Sequence, residues 1–157
     1  MDLGLWYLQT SKEPWLTEAQ QVYTKKLQGF AKFELVALKS PNLARGQQAQ
    51  KSEVESELIL KKLSGKERLI LFDEKAWKPK SSVELSQKLV SEFEGAASKF
   101  VFVIGGAFGF SDALKAKANL RISLSNLTMN HHVAQLMALE QLYRAFSIWK
   151  GLPYHNE

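Results

Sequence analysis

The sequence predicts an α/β fold: one domain over residues 1–157, with a mainly parallel sheet and helices on both faces. Two observations carry this. Short apolar or alternating runs recur along the chain, and a helix-length amphipathic stretch separates each run from the next. There is also no internal repeat, low-complexity segment or linker, and 157 residues with 45% hydrophobic content suit one packed core.

Leu3, Leu5, Tyr7 and Leu8 open the first strand. Pro14 stands near the start of the first helix, with Thr17 as candidate N-cap and Gln20 three residues on, and the helix runs to about Gly29. Residues 33–38 alternate as a second strand, and 40–50 form a polar loop around Pro41, Asn42 and Gly46. A second helix spans 52–63, with Val54, Leu58 and Leu60 as its apolar positions and Gly65 as its stop. Residues 68–72 are a buried strand ending at Asp73 and Glu74, followed by a basic loop over 75–80. Ser81 or Ser82 caps a helix to about Phe93, residues 99–104 are the plainest strand, and Ser111 with Asp112 caps a short helix to 118. A last strand covers 120–124, and Asn130 caps a long helix that ends near Lys150.

Composition bounds the chemistry. Cysteine is absent, which excludes disulfides, a thiol nucleophile and any Cys-ligated metal. The net charge of +5 suits a polyanionic partner such as RNA. No basic segment precedes an apolar one at the start, and the longest apolar run is far short of the ~20 residues of a membrane span, so the expected compartment is the cytoplasm. The three histidines, His131, His132 and His155, lack metal-ligand spacing, and no G-x-S-x-G elbow supports a hydrolase.

Ligands of open α/β sheets bind at the carboxyl ends of strands. That rule selects Phe72 with Asp73, the glycines at 105, 106 and 109, and the uncharged segment 123–129. The glycine spacing is neither the dinucleotide fingerprint nor the phosphate loop, which needs Gly-Lys-Ser/Thr. The last helix is apolar beyond one stripe, so it is either central in the fold or packed on a second subunit, and in a chain this short the second subunit is the favoured reading. Lys75, Lys78, Lys80, Arg45 and Lys51 are candidate RNA-facing charges. On the residues alone, a non-catalytic RNA-binding module and a nucleotide-binding enzyme of doubly wound topology both stay open.

In order along the chain stand Ile104-Gly105-Gly106-x-x-Gly109, Ser123-Leu124-Ser125-x-Leu127-Thr128, His131, the run from Glu140 to Ile148, and Pro153-Tyr154-His155-x-Glu157. Together they resemble the RlmH family of bacterial ribosomal RNA methyltransferases, of the SPOUT class. The chain departs from the family pattern at Ala107, at Asn130 and at Asn156.

The resemblance implies a C-terminal trefoil knot, a homodimer and S-adenosylmethionine as methyl donor, with N3 of a pseudouridine in 23S rRNA of the assembled ribosome as acceptor. No metal and no membrane enter. The cofactor-binding residues it implies are Phe72, Gly105, Gly106, Leu124, Ser125, Asn126, Leu127, Thr128 and Met129. It also implies catalytic roles in the tail: His155 as general base, Tyr154 stacking on the base, and Arg144 stabilising charge or gripping phosphate.

Overall fold

The computed structural model describes residues 1–44 and 46–156. Among them, strands β1 (Asp2–Gln9), β2 (Lys32–Lys39), β3 (Arg68–Trp77), β4 (Lys99–Ile104) and β5 (Leu120–Ile122) alternate with helices α1 (Pro14–Leu27), α2 (Gln48–Lys62), α3 (Ser82–Phe93), α4 (Asp112–Lys117) and α5 (His131–Trp149). The predicted α/β architecture is the one found. Every strand pairing in the sheet is parallel, in the order β2-β1-β4-β3-β5.

The two-residue period of the strands builds a core on each face. In β4, Phe100, Phe102 and Ile104 face one side and Val101 and Val103 the other. In β1, Leu3, Leu5 and Tyr7 join the first side, and Trp6 and Leu8 the second. Leu27 of α1, Leu85 and Leu89 of α3, and Leu139, Leu142 and Phe146 of α5 cover the first side. Ile59 of α2 and Leu114 of α4 cover the second.

Three expected caps are in place. Ser81 Oγ accepts the Glu84 N–H (3.1 Å), Ser111 Oγ the Leu114 N–H (3.2 Å), and Asn130 Oδ1 the His132 N–H (2.8 Å). Thr17 is not a cap. Helix α1 starts at Pro14, whose missing N–H needs no partner, and the Thr17 hydroxyl instead donates to the Glu13 carbonyl (3.2 Å).

Other elements differ from the sequence reading. Helix α2 begins at Gln48, and its buried residues are Glu55, Ser56 and Ile59, while Leu58 faces solvent. Leu60 packs on the core as expected, but the rest of the expected apolar face is rotated. Strand β3 continues past Phe72 to Trp77 with an irregularity between the two, so Lys75 lies on a strand, not in a loop. Strand β5 ends at Ile122, and the Ser123 N–H turns to the Trp77 carbonyl (2.7 Å). The wide apolar surface of α5 is covered largely within the chain, between α1, α3 and the sheet, although Val133 stays exposed.

The turn from α2 into β3 holds an acid by hydrogen bonds. The Glu67 carboxylate accepts from the Ser64 hydroxyl (2.8 Å) and N–H (3.0 Å), and Lys99 Nζ lies 3.3 Å away. Burial pushes this carboxyl up, but the bonds from Ser64 and Lys99 outweigh it and hold it at about 2, against an ordinary 4.5. A depressed carboxyl stabilises the fold above its unfolded pKa, and that stability is lost as pH falls through the folded one. E67Q should therefore cost on the order of 2–3 kcal/mol at neutral pH. In urea unfolding across a pH series, the gap between wild type and variant should close as pH falls from 4.5 to about 2. A gap that does not change with pH would disprove this.

Candidate active site

The three strand-end segments meet. Phe72, Gly105, Gly106, Leu124, Ser125, Leu127, Thr128 and Met129 all line one cavity of about 630 Å³ at the carboxyl edge of the sheet. That volume lies within the roughly 300–1,000 Å³ of small-molecule sites. Asn126 is exposed and stands outside the lining.

The glycine turn after β4 is shaped by what presses on it. A Cβ on Gly105 would lie 2.9 Å from the Phe110 ring, and one on Gly106 would lie 2.6 Å from a carboxylate oxygen of Glu55. The turn closes with the Gly109 N–H on the Gly106 carbonyl (3.2 Å), and Gly109 adopts a left-handed φ of 73°. Both positions therefore take glycine for packing, since a side chain at either would displace Phe110 or Glu55. Asp73, Glu74, Lys75 and Lys115 also line it, so the acids and bases of the wall balance. This is not the cationic cradle that a polyphosphate requires.

The segment after β5 is held by its own hydroxyls. Ser123 Oγ donates to the Ser125 carbonyl (3.0 Å), and Ser125 Oγ accepts the Leu127 N–H (2.9 Å). This leaves Leu127 77% exposed at the cavity's edge. His131 opens α5 on the same lining, with its Nε2 3.0 Å from Thr10 Oγ1, just past β1. Burial, then His132 and Lys51, depress its pKa below 6.5. His132 is buried, edge-on to the half-exposed Trp15 (6.4 Å). Thr10 and Trp15 were not foreseen. Neither belongs to a motif, and only the fold brings them to α5.

The tail residues form a second cluster elsewhere. Gly151, at a φ of 66°, ends α5, and the Leu152 N–H bonds back to the Ser147 carbonyl (2.8 Å). The chain then returns along the helix. Glu140 accepts from Arg144 Nη2 (2.6 Å) and from the Tyr154 hydroxyl (3.2 Å). The Arg144 guanidinium lies over the Tyr154 ring (4.8 Å), and its Nη1 is 3.1 Å from His155 Nδ1. Arginine only donates, so Nδ1 accepts and the neutral ring carries its proton on Nε2. Burial, with Tyr23 and Glu140 beside it, pushes the Tyr154 hydroxyl up to about 12. The hydrogen bonds that Arg144 donates to Glu140 raise its guanidinium pKa above the ordinary value.

Arg144, Tyr154 and His155 are therefore brought together, but not with the cavity, whose lining includes none of them. Arg144 lies ten residues along α5 from Ala134, the last residue of that helix on the lining, which at 1.5 Å per residue is about 15 Å.

Of the expected RNA-facing charges, Lys75 lines the cavity and Lys78 and Lys80 are exposed. Lys51 instead acts on Glu55 and His131. Arg45 and Glu157 lie outside the described residues. Among the described residues, no group of three or more His, Asp or Glu is placed to hold a metal, and no helix is long and apolar enough to cross a membrane.

Comparison with known proteins gives one consistent result. Residues 1–155 match a family model described as "Predicted SPOUT methyltransferase". A protein of Bdellovibrio bacteriovorus named ribosomal RNA large subunit methyltransferase H is 41% identical over 156 residues, covering 99% of each chain. Proteins of the same name from Cytophaga hutchinsonii and Geotalea daltonii are 36% and 38% identical, each over 99% of this chain and 100% of its own length.

The His131 environment is open to direct measurement. In proton NMR, its imidazole should titrate below 6.5, deprotonated at neutral pH, and K51M should move the midpoint upward by removing a neighbouring positive charge. A midpoint that K51M leaves in place would remove Lys51 from the site.

Proposed function

The chain belongs to the SPOUT methyltransferase family, and from that premise we propose that it methylates large-subunit ribosomal RNA with S-adenosylmethionine as methyl donor. The acceptor in this reading is N3 of a pseudouridine in 23S rRNA of the assembled ribosome, which makes the cytoplasm its place of work. One observation carries the proposal: three strand-end segments, separate in sequence, surround a single cavity at the carboxyl edge of the sheet.

The wall suits this donor. S-adenosylmethionine carries no phosphate, but it has an adenosine and an amino-acid group with charges of both signs. Open backbone, neutral hydroxyls and balanced charge are the complement of such a molecule. Phe72, Gly105, Gly106, Leu124, Ser125, Leu127, Thr128 and Met129 would hold it, with Asn126 at their margin. When bound, it supplies an electrophilic methyl group for in-line transfer. The expected C-terminal knot, through the segment that carries these residues, is part of the same proposal.

The chain's own residues do the remaining work. An imide N3 keeps its proton at neutral pH, so a base must take it. His155 supplies an imidazole in the tail for that, but its Nδ1 lone pair is engaged by Arg144. It acts once Arg144 turns to an RNA phosphate or a base carbonyl, which frees Nδ1 for the N3 proton. Tyr154, kept a neutral phenol, offers its ring for stacking.

Because the tail cluster lies about 15 Å along α5 from the edge of its own cavity, the complete site takes the tail of a second copy, in a homodimer. A non-catalytic ribosome-binding module is the less favoured reading, since relatives matching along the full chain are named methyltransferases.

Calorimetry with S-adenosylmethionine and methylation of purified ribosomes test this together. Saturable binding and labelled 23S rRNA are expected. Deleting residues 153–157 should leave binding intact and lower transfer by on the order of 10²-fold or more. A tail-deleted chain mixed with G106A, each inactive alone, should recover activity in the mixed dimer. Full-rate methylation by the deletion would refute the role of the tail, and failure of the mixture would refute its action across subunits.

A further inference from the structure

Helix α2 touches the glycine turn along one face. Ser52, Glu55 and Ser56 share that face by their i, i+3, i+4 spacing. Ser52 Oγ donates to the Gly109 carbonyl (3.5 Å), and Ser56 Oγ accepts the Ser111 N–H (2.8 Å). Between them the Glu55 carboxyl fills the space that a Cβ on Gly106 would take.

Glu55 is a poor choice for that place on stability grounds. It is 3% exposed, and among the described residues its Oε2 has no hydrogen-bond partner. Burial pushes its carboxyl up, and only Lys51, one turn earlier, pulls it down. The segment 105–111 that packs on it carries no charged residue. An apolar side chain of the same length would avoid the desolvation cost. A group so placed beside a ligand loop, and costly in the free protein, is the pattern of a residue kept for the ligand-bound state.

We propose that Glu55 is a positioning residue for the methyl donor: it braces Gly106 behind the cavity wall, and its unpartnered oxygen takes a backbone N–H of the 105–109 turn when the ligand is bound. It does not line the cavity and touches no reacting atom. It fixes which backbone groups the turn presents, with Ser52 and Ser56 pinning the turn's end and the start of α4. The inference rests on the methyltransferase reading and deepens it.

E55Q and the near-isosteric E55M, in the full-length protein, separate this role from simple support. E55M should bind S-adenosylmethionine at least ~10-fold more weakly by calorimetry, while E55Q, whose carbonyl oxygen still accepts that N–H, should lose less, and the ligand-free Tm of both is unchanged or higher. At saturating donor, kcat on ribosomes should stay within about threefold of wild type, so that the effect falls on KM. Affinities within about twofold of wild type for both variants would overturn the proposal, as would affinity and Tm falling together. Wild-type protein that takes no S-adenosylmethionine would overturn the methyltransferase reading itself, and this inference with it.

Discussion

Burial of β4 on both faces is the constraint from which the rest follows. It is the middle strand, paired in parallel to β1 on one side and β3 on the other, and none of Phe100–Ile104 is more than 4% exposed. A strand apolar on both faces needs helices above and below. It also leaves its carboxyl end as the one place where its backbone can meet a ligand. The glycine turn stands there, between the ends of β1 and β3, so Thr10 and Phe72 become its neighbours by sheet order alone. The cavity is thus a consequence of strand pairing.

Legibility from the sequence follows the same division. β4 was readable to the residue because its signal is local: six consecutive apolar or amphipathic residues followed at once by glycines. The caps Ser81, Ser111 and Asn130 were readable because a cap is a contact over three residues. The face of α2 was not. Val54, Leu58 and Leu60 are its apolar positions, yet only Leu60 packs on the core, and the buried residues are Glu55, Ser56 and Ile59. A glutamate and a serine face inward because they meet the loop 105–111, fifty residues on, and no periodicity can report that. The spacing Ser52, Glu55, Ser56, Ile59 was a sequence-level signal, but hydrophobicity weighs against it.

The tail shows the opposite case. Chain ends usually fray, and fixing a residue's backbone costs about 1–2 kcal/mol. Here Tyr154 and His155 are half-buried and bonded, because Gly151 turns the chain back onto Glu140 and Arg144. Lys26 of α1 adds a cation over the rings of Tyr23, Tyr143 and Tyr154, at 5.0–5.5 Å. The residue types are legible along the chain, but the i, i+4 pairing of Glu140 with Arg144 is the local hint that the tail has an anchor.

That anchor bears on how a small chain can run a demanding reaction. A tail that ordered itself only on meeting RNA would lose binding energy to its own immobilisation. A tail already held at the far end of α5 avoids most of that cost, but it is also held away from its own cavity. The tail is thus prebuilt but set apart from its own pocket, about 15 Å along α5 from the last lining residue on that helix. The same ion cluster that stiffens the tail engages the His155 Nδ1 lone pair. Arg144 is common to both: it donates to Glu140 and to His155 and lies over the Tyr154 ring.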